Sequence, residues 1–173
     1  MAVKECDRMA NLVAKLRDFY NPSSDFPVPM DIHEAIEDMV ILNKNRWRSQ
    51  GILVARAYAP NMPKIEAIPD QIKQVILNLL QNAEEAVSSK SGGEITITTR
   101  VFTEMIEVQI QDTGIGIAKE IVGSIFLPFF TTKSAIKGTG LGLSVSYGII
   151  KKHGGDIRVD SQPGKGTTFT ITL

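Results

Sequence analysis

The 173-residue sequence holds a single cysteine, Cys6, so it has no disulfide framework of its own and suits a reducing, cytoplasmic setting. No run reaches the roughly 18 consecutive apolar residues a membrane-crossing helix requires. The opening MAVKECDRMA also lacks the apolar core of a signal peptide, so no membrane contact is expected from these residues. Charge of either sign is not in excess, with nineteen Lys+Arg against nineteen Asp+Glu. Binders of a phosphate backbone usually carry a basic excess or patch, so nucleic acid is not an expected partner. Histidine is scarce, at His33 and His153, and no repeat or low-complexity run is present.

What is present is enough Leu, Ile and Val for one well-buried domain with an extension. Glycine is unevenly placed. Eleven of the fourteen glycines lie at or after Gly114, which directs attention to that half for loops that approach a ligand.

Met9, Leu12, Val13, Leu16 and Phe19 or Tyr20 recur at helical steps and predict an amphipathic helix over 3–20. NPSSDFPVPMD, with three prolines in eleven residues, reads as a linker. Asp31 can cap a helix over 32–49, on which Ile32, Ile36, Met39, Val40 and Asn43 or Trp47 follow helical steps. Ile52–Ala59 is strand-like, and Pro60–Pro69 reads as a turn-rich connection. The clearest helix starts at Pro69-Asp70 and carries Ile72, Val75, Ile76, Leu79, Leu80, Ala83 and Val87 on one face.

EITITTRVF and MIEVQIQD alternate and are separated by Thr103-Glu104, which predicts an antiparallel hairpin. After a Gly-containing segment with a short helical stretch near 118–126, a final helix covers 140–152. His153, at its end, is expected to act as a favourable charge there. The strands 156–161 and 167–173 close the chain. The expected fold class is α+β, a two-layer sandwich in which a mixed, mostly antiparallel sheet is covered on one face by helices, with an N-terminal helical stub.

Asn78 and Asn82, one turn apart, lie on a flank of the long helix, and Glu85 joins them three residues on. Two amides and a carboxylate can serve a hard cation or a polyphosphate, or can simply be boundary polar residues. Asp112-Thr-Gly114-Ile-Gly116-Ile117 sits at a strand end, where a carboxylate can accept from an amino group and glycines let backbone approach a planar ligand. An aspartic-protease reading fails because that chemistry needs two such motifs. Gly138-Thr-Gly140-Leu-Gly142 opens the last helix and exposes N–H groups to an anion, or is a flexible loop into a helix. It matches neither a P-loop nor a dinucleotide fingerprint. Between the two glycine motifs, FLPFFTTK combines aromatics, two hydroxyls and a lysine in a segment suited to folding over a charged ligand.

In this order Asn78–Asn82, DTGIGI, FLPFFTTK and GTGLGL, with the ending GKGTTFTITL, closely resemble the N, G1, F and G2 boxes of sensor histidine kinases. That family shares the Bergerat ATP-binding fold of the superfamily that also includes gyrase, the ninety-kilodalton heat-shock chaperone and the MutL proteins. The form NLLQNAEEA is similar to the nitrogen-regulation type.

The resemblance implies that Asn82 coordinates Mg2+ and that Asn78 lies near the phosphates of ATP as the catalytic position. It implies that Asp112 binds the adenine amino group, that Gly114 and Gly116 shape the base pocket, and that Thr167 assists through water. Thr131, Thr132, Lys133 and the turn of Gly138, Thr139, Gly140, Leu141 and Gly142 form a lid on the phosphates. Ile117, Phe130 and Lys137 complete the expected ATP-binding set. Many relatives carry a lysine where this chain has Glu85, which shifts the expected positive charge to Lys133 or Lys137.

The same resemblance divides the chain into residues 1–22, the end of the second helix of a dimerisation hairpin, residues 23–30, a linker, and residues 31–173, the catalytic domain. The family's acceptor histidine lies in HE-x-x-[NR]-P. His33-Glu34 imitates only the first two positions and reads as a helix-start surface residue. The expectation is therefore a piece of a longer, homodimeric kinase, not autophosphorylating alone, whose partners are the phospho-acceptor domain and a response regulator. The resemblance is compatible with a membrane anchor on the parent kinase. Alternatives are an ATP-hydrolysing relative, disfavoured by Asn78 where hydrolytic members carry a glutamate, and a sigma-factor-regulating serine kinase module, disfavoured by the 1–20 helix.

Overall fold

The computed structural model describes residues 26–89, 92–103, 105–132 and 139–173. The expected 3–20 helix, Lys133, Lys137 and Gly138 lie outside the described residues. The element order is β1 (Val28–Met30), α1 (Ile32–Ser49), β2 (Ile52–Ala57), β3 (Ile65–Ala67), α2 (Pro69–Ser88), β4 (Gly93–Val101), β5 (Ile106–Asp112), α3 (Lys119–Val122), α4 (Gly142–Lys152), β6 (Asp156–Gln162) and β7 (Gly166–Thr172).

Five strands form one sheet in the order β2-β4-β5-β7-β6, with β2 parallel to β4 and every other pair antiparallel. Alternation decides which face is covered. Ile95 and Ile97 on β4, Ile106, Val108 and Ile110 on β5, and Phe169 and Ile171 on β7 are buried toward the helices. The intervening Thr96, Thr98, Gln109, Thr168 and Thr170 occupy the opposite face of the pleat. Fold class and sheet composition are as the sequence predicts.

Helix α2 is the spine of this core. Ile72, Val75, Ile76, Leu79, Leu80, Ala83 and Val87 are all buried along one stripe, and each fully buried large aliphatic among them contributes about 1.5–3 kcal/mol. The neighbouring α1 is fastened at both ends. Asp31 caps it by accepting the His33 N–H at 2.8 Å. Near its C-terminus Arg46 and the Trp47 indole N–H both donate to the buried Glu84 of α2, at 2.5 and 2.9 Å.

Two differences from the sequence expectations concern short strands. Val28–Met30, at the end of the expected linker, pairs antiparallel with Ile65–Ala67, inside the expected turn-rich connection. Three-residue strands are too short to show alternation, and their pairing partner supplies the order that local sequence does not.

Both histidines also differ from expectation. His153 Nδ1 donates to the Ile149 carbonyl at 2.8 Å and Nε2 accepts the Ile68 N–H at 3.1 Å. A carbonyl can only accept and an amide N–H can only donate, so this is the pattern of a neutral ring bridging α4 to the start of α2. His33 is half-buried, stacked on Tyr58 at 4.5 Å and bonded to Thr99 Oγ1 at 2.9 Å. Burial, and then the hydrogen bond to Glu37, push the Tyr58 phenol well above its ordinary range.

Candidate active site

A cleft of about 940 Å³ opens between α2, the end of β5, the 126–132 loop and the start of α4. Its size falls within the range of small-molecule sites. Asn78, Asn82, Glu85, Asp112, Gly116, Ile117, Phe130, Thr131, Thr132, Thr139, Gly140, Gly142 and Thr167 all line it, so the separate sequence motifs converge on one place. Gly114 and Leu141 do not line it and are buried behind it.

The closed end is built on strands. Asp112 continues the buried alternation of Ile106, Val108 and Ile110, so its carboxylate occupies the core face at the end of β5 and is only 3% exposed. Oδ1 accepts the Gly114 N–H at 2.8 Å, which fixes the carboxylate's rotation. Thr167 on β7 lies directly across the ladder from Asp112 and is equally buried.

The orientation of the Thr167 hydroxyl follows from its neighbour Ser161. Ser161 Oγ donates to the Gly166 carbonyl at 3.0 Å and accepts the Ile117 N–H at 2.8 Å. Its single proton is thereby used, so in its 2.9 Å contact with Ser161 the Thr167 hydroxyl is the donor. The Thr167 oxygen keeps acceptor capacity beside the Asp112 carboxylate.

Glycine is required behind this end. A Cβ on Gly114 would lie 2.5 Å from the Ala86 carbonyl carbon and 2.6 Å from the Ala86 Cβ, so the β5 loop presses directly on α2. Gly166, at φ 120°, leaves no room for a Cβ against the Asp112 carbonyl.

The open end is built on helix surfaces and loops. Asn78 donates from Nδ2 to the Gly142 carbonyl at 3.2 Å and to Ser146 Oγ at 3.3 Å, tying α2 to the start of α4. Asn82 and Glu85 follow at one-turn spacing along the same wall. Helix α4 begins after Leu141 with no side-chain cap, so its first N–H groups stand at the cleft with the favourable dipole for an anion. Gly140 takes φ 68° against the backbone of Phe129, itself at φ 64°, so the loop before α4 rests on the aromatic segment. Thr131 and Thr132 are exposed at the rim.

The oxygen chemistry of Asn82 and Glu85 fits a hydrated Mg2+. Among the described residues no group of three or more His, Cys, Asp or Glu forms a closed metal cage. That too suits magnesium, which is usually held by one or two protein oxygens together with phosphates and water.

Sequence reasoning missed Ser161, Ser146 and Glu84. Ser146 shows no local signal because its role depends on α4 meeting Asn78, and Ser161 acts through contacts made only when β6 and β7 pair. Glu84 stands among the apolar positions of α2, an anomaly that its bonds to Arg46 and to the buried Trp47 indole explain.

Residues 67–173 match the family of histidine kinase-, DNA gyrase B- and HSP90-like ATPases. The chain belongs to that family. It is 36% identical over 170 residues to the sensor histidine kinase ZraS of Escherichia coli strain K12, covering 98% of this chain and 36% of ZraS. It is also 36% identical over 189 residues to the sensor kinase CckA of Brucella abortus, covering 100% of this chain and 20% of CckA. The chain thus spans about a third or less of these relatives.

Among solved structures, the catalytic domain of the histidine kinase ThkA superposes with a TM-score of 0.76 at 32% identity, covering 85% of this chain and 94% of that domain. Full-length ShkA in complex with AMPPNP superposes with a TM-score of 0.83 at 25% identity, covering 96% of this chain and 36% of ShkA. Membership in this ATPase family agrees with the resemblance carried by the four sequence motifs. No described helix is long and apolar enough to cross a membrane.

Proposed function

We propose that this chain is the nucleotide-binding catalytic part of a sensor histidine kinase, which binds Mg·ATP in the cleft and donates the γ-phosphoryl to a histidine on the kinase's dimerisation domain. The observation that carries the reading is the polarity of the cleft. Two buried acceptors, Asp112 and Thr167, stand together at the closed end, while uncapped helix N–H groups and amide side chains line the open end. An adenine amino group has two protons to give, and a triphosphate needs donors and cations.

In this reading Asp112 and Thr167 hold the base, by direct or water-mediated bonds, and Gly114 and Gly116 shape its pocket. The first turn of α4, with Thr139, Gly140 and Leu141, and the rim residues Thr131 and Thr132 hold phosphates. Lys133, Lys137 and Gly138 belong to the same proposed lid. Ile117 and Phe130 supply apolar contact, and Asn82 is the ligand to Mg2+. Bound magnesium supplies charge neutralisation on the phosphates.

Asn78 is an amide already engaged with Gly142 and Ser146, and it has no basicity with which to take a proton from water. The site therefore favours positioning over hydrolysis. The imidazole nitrogen of the acceptor forms a bond to the γ-phosphorus as the β–γ bridging bond breaks and ADP leaves. A response-regulator aspartate is the proposed next acceptor. The parent kinase is proposed to act in the cytoplasm as a homodimer, with residues 1–22 from the dimerisation hairpin, 23–30 as linker and 31–173 as catalytic domain. ThkA, whose catalytic domain shares this fold, has been crystallised with the response regulator TrrA.

The test supplies a separate acceptor hairpin and γ-labelled ATP. Label on the hairpin that is lost in acid and kept in base is expected. Acid-stable label, indicating a serine kinase, or release of inorganic phosphate with no labelled protein, would contradict the reading.

A further inference from the structure

Asp112, Thr167 and Ser161 form one rung across neighbouring strands. Asp112 on β5 pairs with Thr167 on β7, and Thr167 pairs with Ser161 on β6. The first two line the cleft, and Ser161, next along the rung, does not. Ser161 is nonetheless a junction. Its single proton goes to the Gly166 carbonyl at 3.0 Å, while its oxygen accepts the Ile117 N–H at 2.8 Å and the Thr167 hydroxyl at 2.9 Å. The Thr167 proton is therefore turned along the rung, away from Asp112, and lone pairs remain for a ligand. The adjoining turn stiffens the arrangement. Gly164 N–H donates to the Ile115 carbonyl at 2.7 Å, and Gly116, at φ 70°, packs on the Gln162 carbonyl with no room for a Cβ. The loop after β5 is thus fastened to the β6–β7 hairpin at Ile115, Gly116 and Ile117.

We infer that Ser161 is a positioning residue that sets which purine the closed end accepts, by holding Thr167 as an acceptor, a role that rests on the nucleotide reading above. Adenine and hypoxanthine have nearly the same shape. They differ at position 6, where adenine carries an amino group that donates and hypoxanthine a carbonyl that accepts. Two acceptors side by side, the Asp112 carboxylate and the Thr167 oxygen, suit the two amino protons and oppose the lone pairs of a 6-carbonyl. A site that leaves polar groups facing their own kind rejects the wrong ligand more strongly than shape alone would. Without the Ser161 oxygen, the Thr167 hydroxyl is free to turn its proton toward Asp112 or a 6-carbonyl. Ser161 touches no ligand and acts through Thr167.

The experiment is calorimetric titration of the full chain with Mg·ATP and Mg·ITP, for the native sequence, Ser161→Ala, Thr167→Val and the double variant. The native chain is expected to prefer ATP by about tenfold or more, and Ser161→Ala to reduce that preference by about 3–10-fold, the worth of one hydrogen bond. In the Thr167→Val background, adding Ser161→Ala should leave the preference unchanged, because the two residues act as one unit. Ser161→Cys keeps the volume with a thiol that accepts only weakly, and should move the preference the same way by a smaller factor. It serves as the reporter if a thermal scan finds the Ala variant unfolded. Equal losses for ATP and ITP in the Ser161 variants, or no native preference between the two, overturn the role of Ser161 and leave the ATP site standing. A further fall in preference in the Thr167→Val background overturns action through Thr167. Absence of Mg·ATP binding by the native chain overturns the nucleotide reading itself, and the role of Ser161 with it.

Discussion

The two ends of the cleft are made of different material. At the closed end Asp112 and Thr167 project from adjacent strands in the middle of a five-stranded sheet, both under 5% exposed, and each is oriented by a named hydrogen bond. At the open end Asn78, Asn82, Thr131 and Thr132 sit on a helix surface and a loop, and Gly140 turns the chain into α4. A ladder fixes position before any ligand arrives, as recognition of a rigid flat base requires. The proposed phosphate end has no such ladder, and its first helical N–H groups follow the turn at Gly140. In the proposed function, recognition and transfer are thus separated along one cleft.

The sharpest way to break this contrast is to disturb the fixed end from behind. Gly114→Ala forces a Cβ into the Ala86 backbone. Overpacking of that kind costs about 1–3 kcal/mol, so a fall in Tm of roughly 3–10 °C is expected by calorimetry, together with weakened nucleotide binding. An unchanged Tm would show that the closed end is not rigidly seated on α2. A smaller effect should follow from Thr167→Val, which keeps shape but removes the acceptor and the donor to Ser161. Loss of one hydrogen bond predicts about a 3–10-fold drop in ATP affinity, by the same factor with and without magnesium. A drop that appears only with magnesium would place Thr167 at the wrong end.

Much of this cleft was legible because its parts coincide with strong periodic signals. The α2 stripe places Asn78, Asn82 and Glu85 on a flank, and the alternation of β5 carries Asp112 into the buried face. The glycine skew marks where backbone must approach a ligand or another element. What was not legible depends on contacts between distant segments. The pairing of Val28–Met30 with Ile65–Ala67 is one case. The Arg46–Glu84–Trp47 cluster, the Ser161 bridge and the neutral His153 link are others. His153 is the instructive one, because helix-end electrostatics suggested a charge and the facing Ile68 N–H requires an acceptor.

The most direct measurement of the central claim compares Asp112→Asn with Asn82→Ala in titrations with Mg·ATP and with adenosine. Asn at position 112 can still accept the Gly114 N–H, so the fold should hold. Replacing the charged acceptor predicts about a 10–100-fold loss of affinity for both ligands. Asn82→Ala should weaken Mg·ATP and leave adenosine unchanged. Native affinity of Asp112→Asn for adenosine, or an equal loss of adenosine binding in both variants, would contradict the division of the cleft into a base end and a phosphate end.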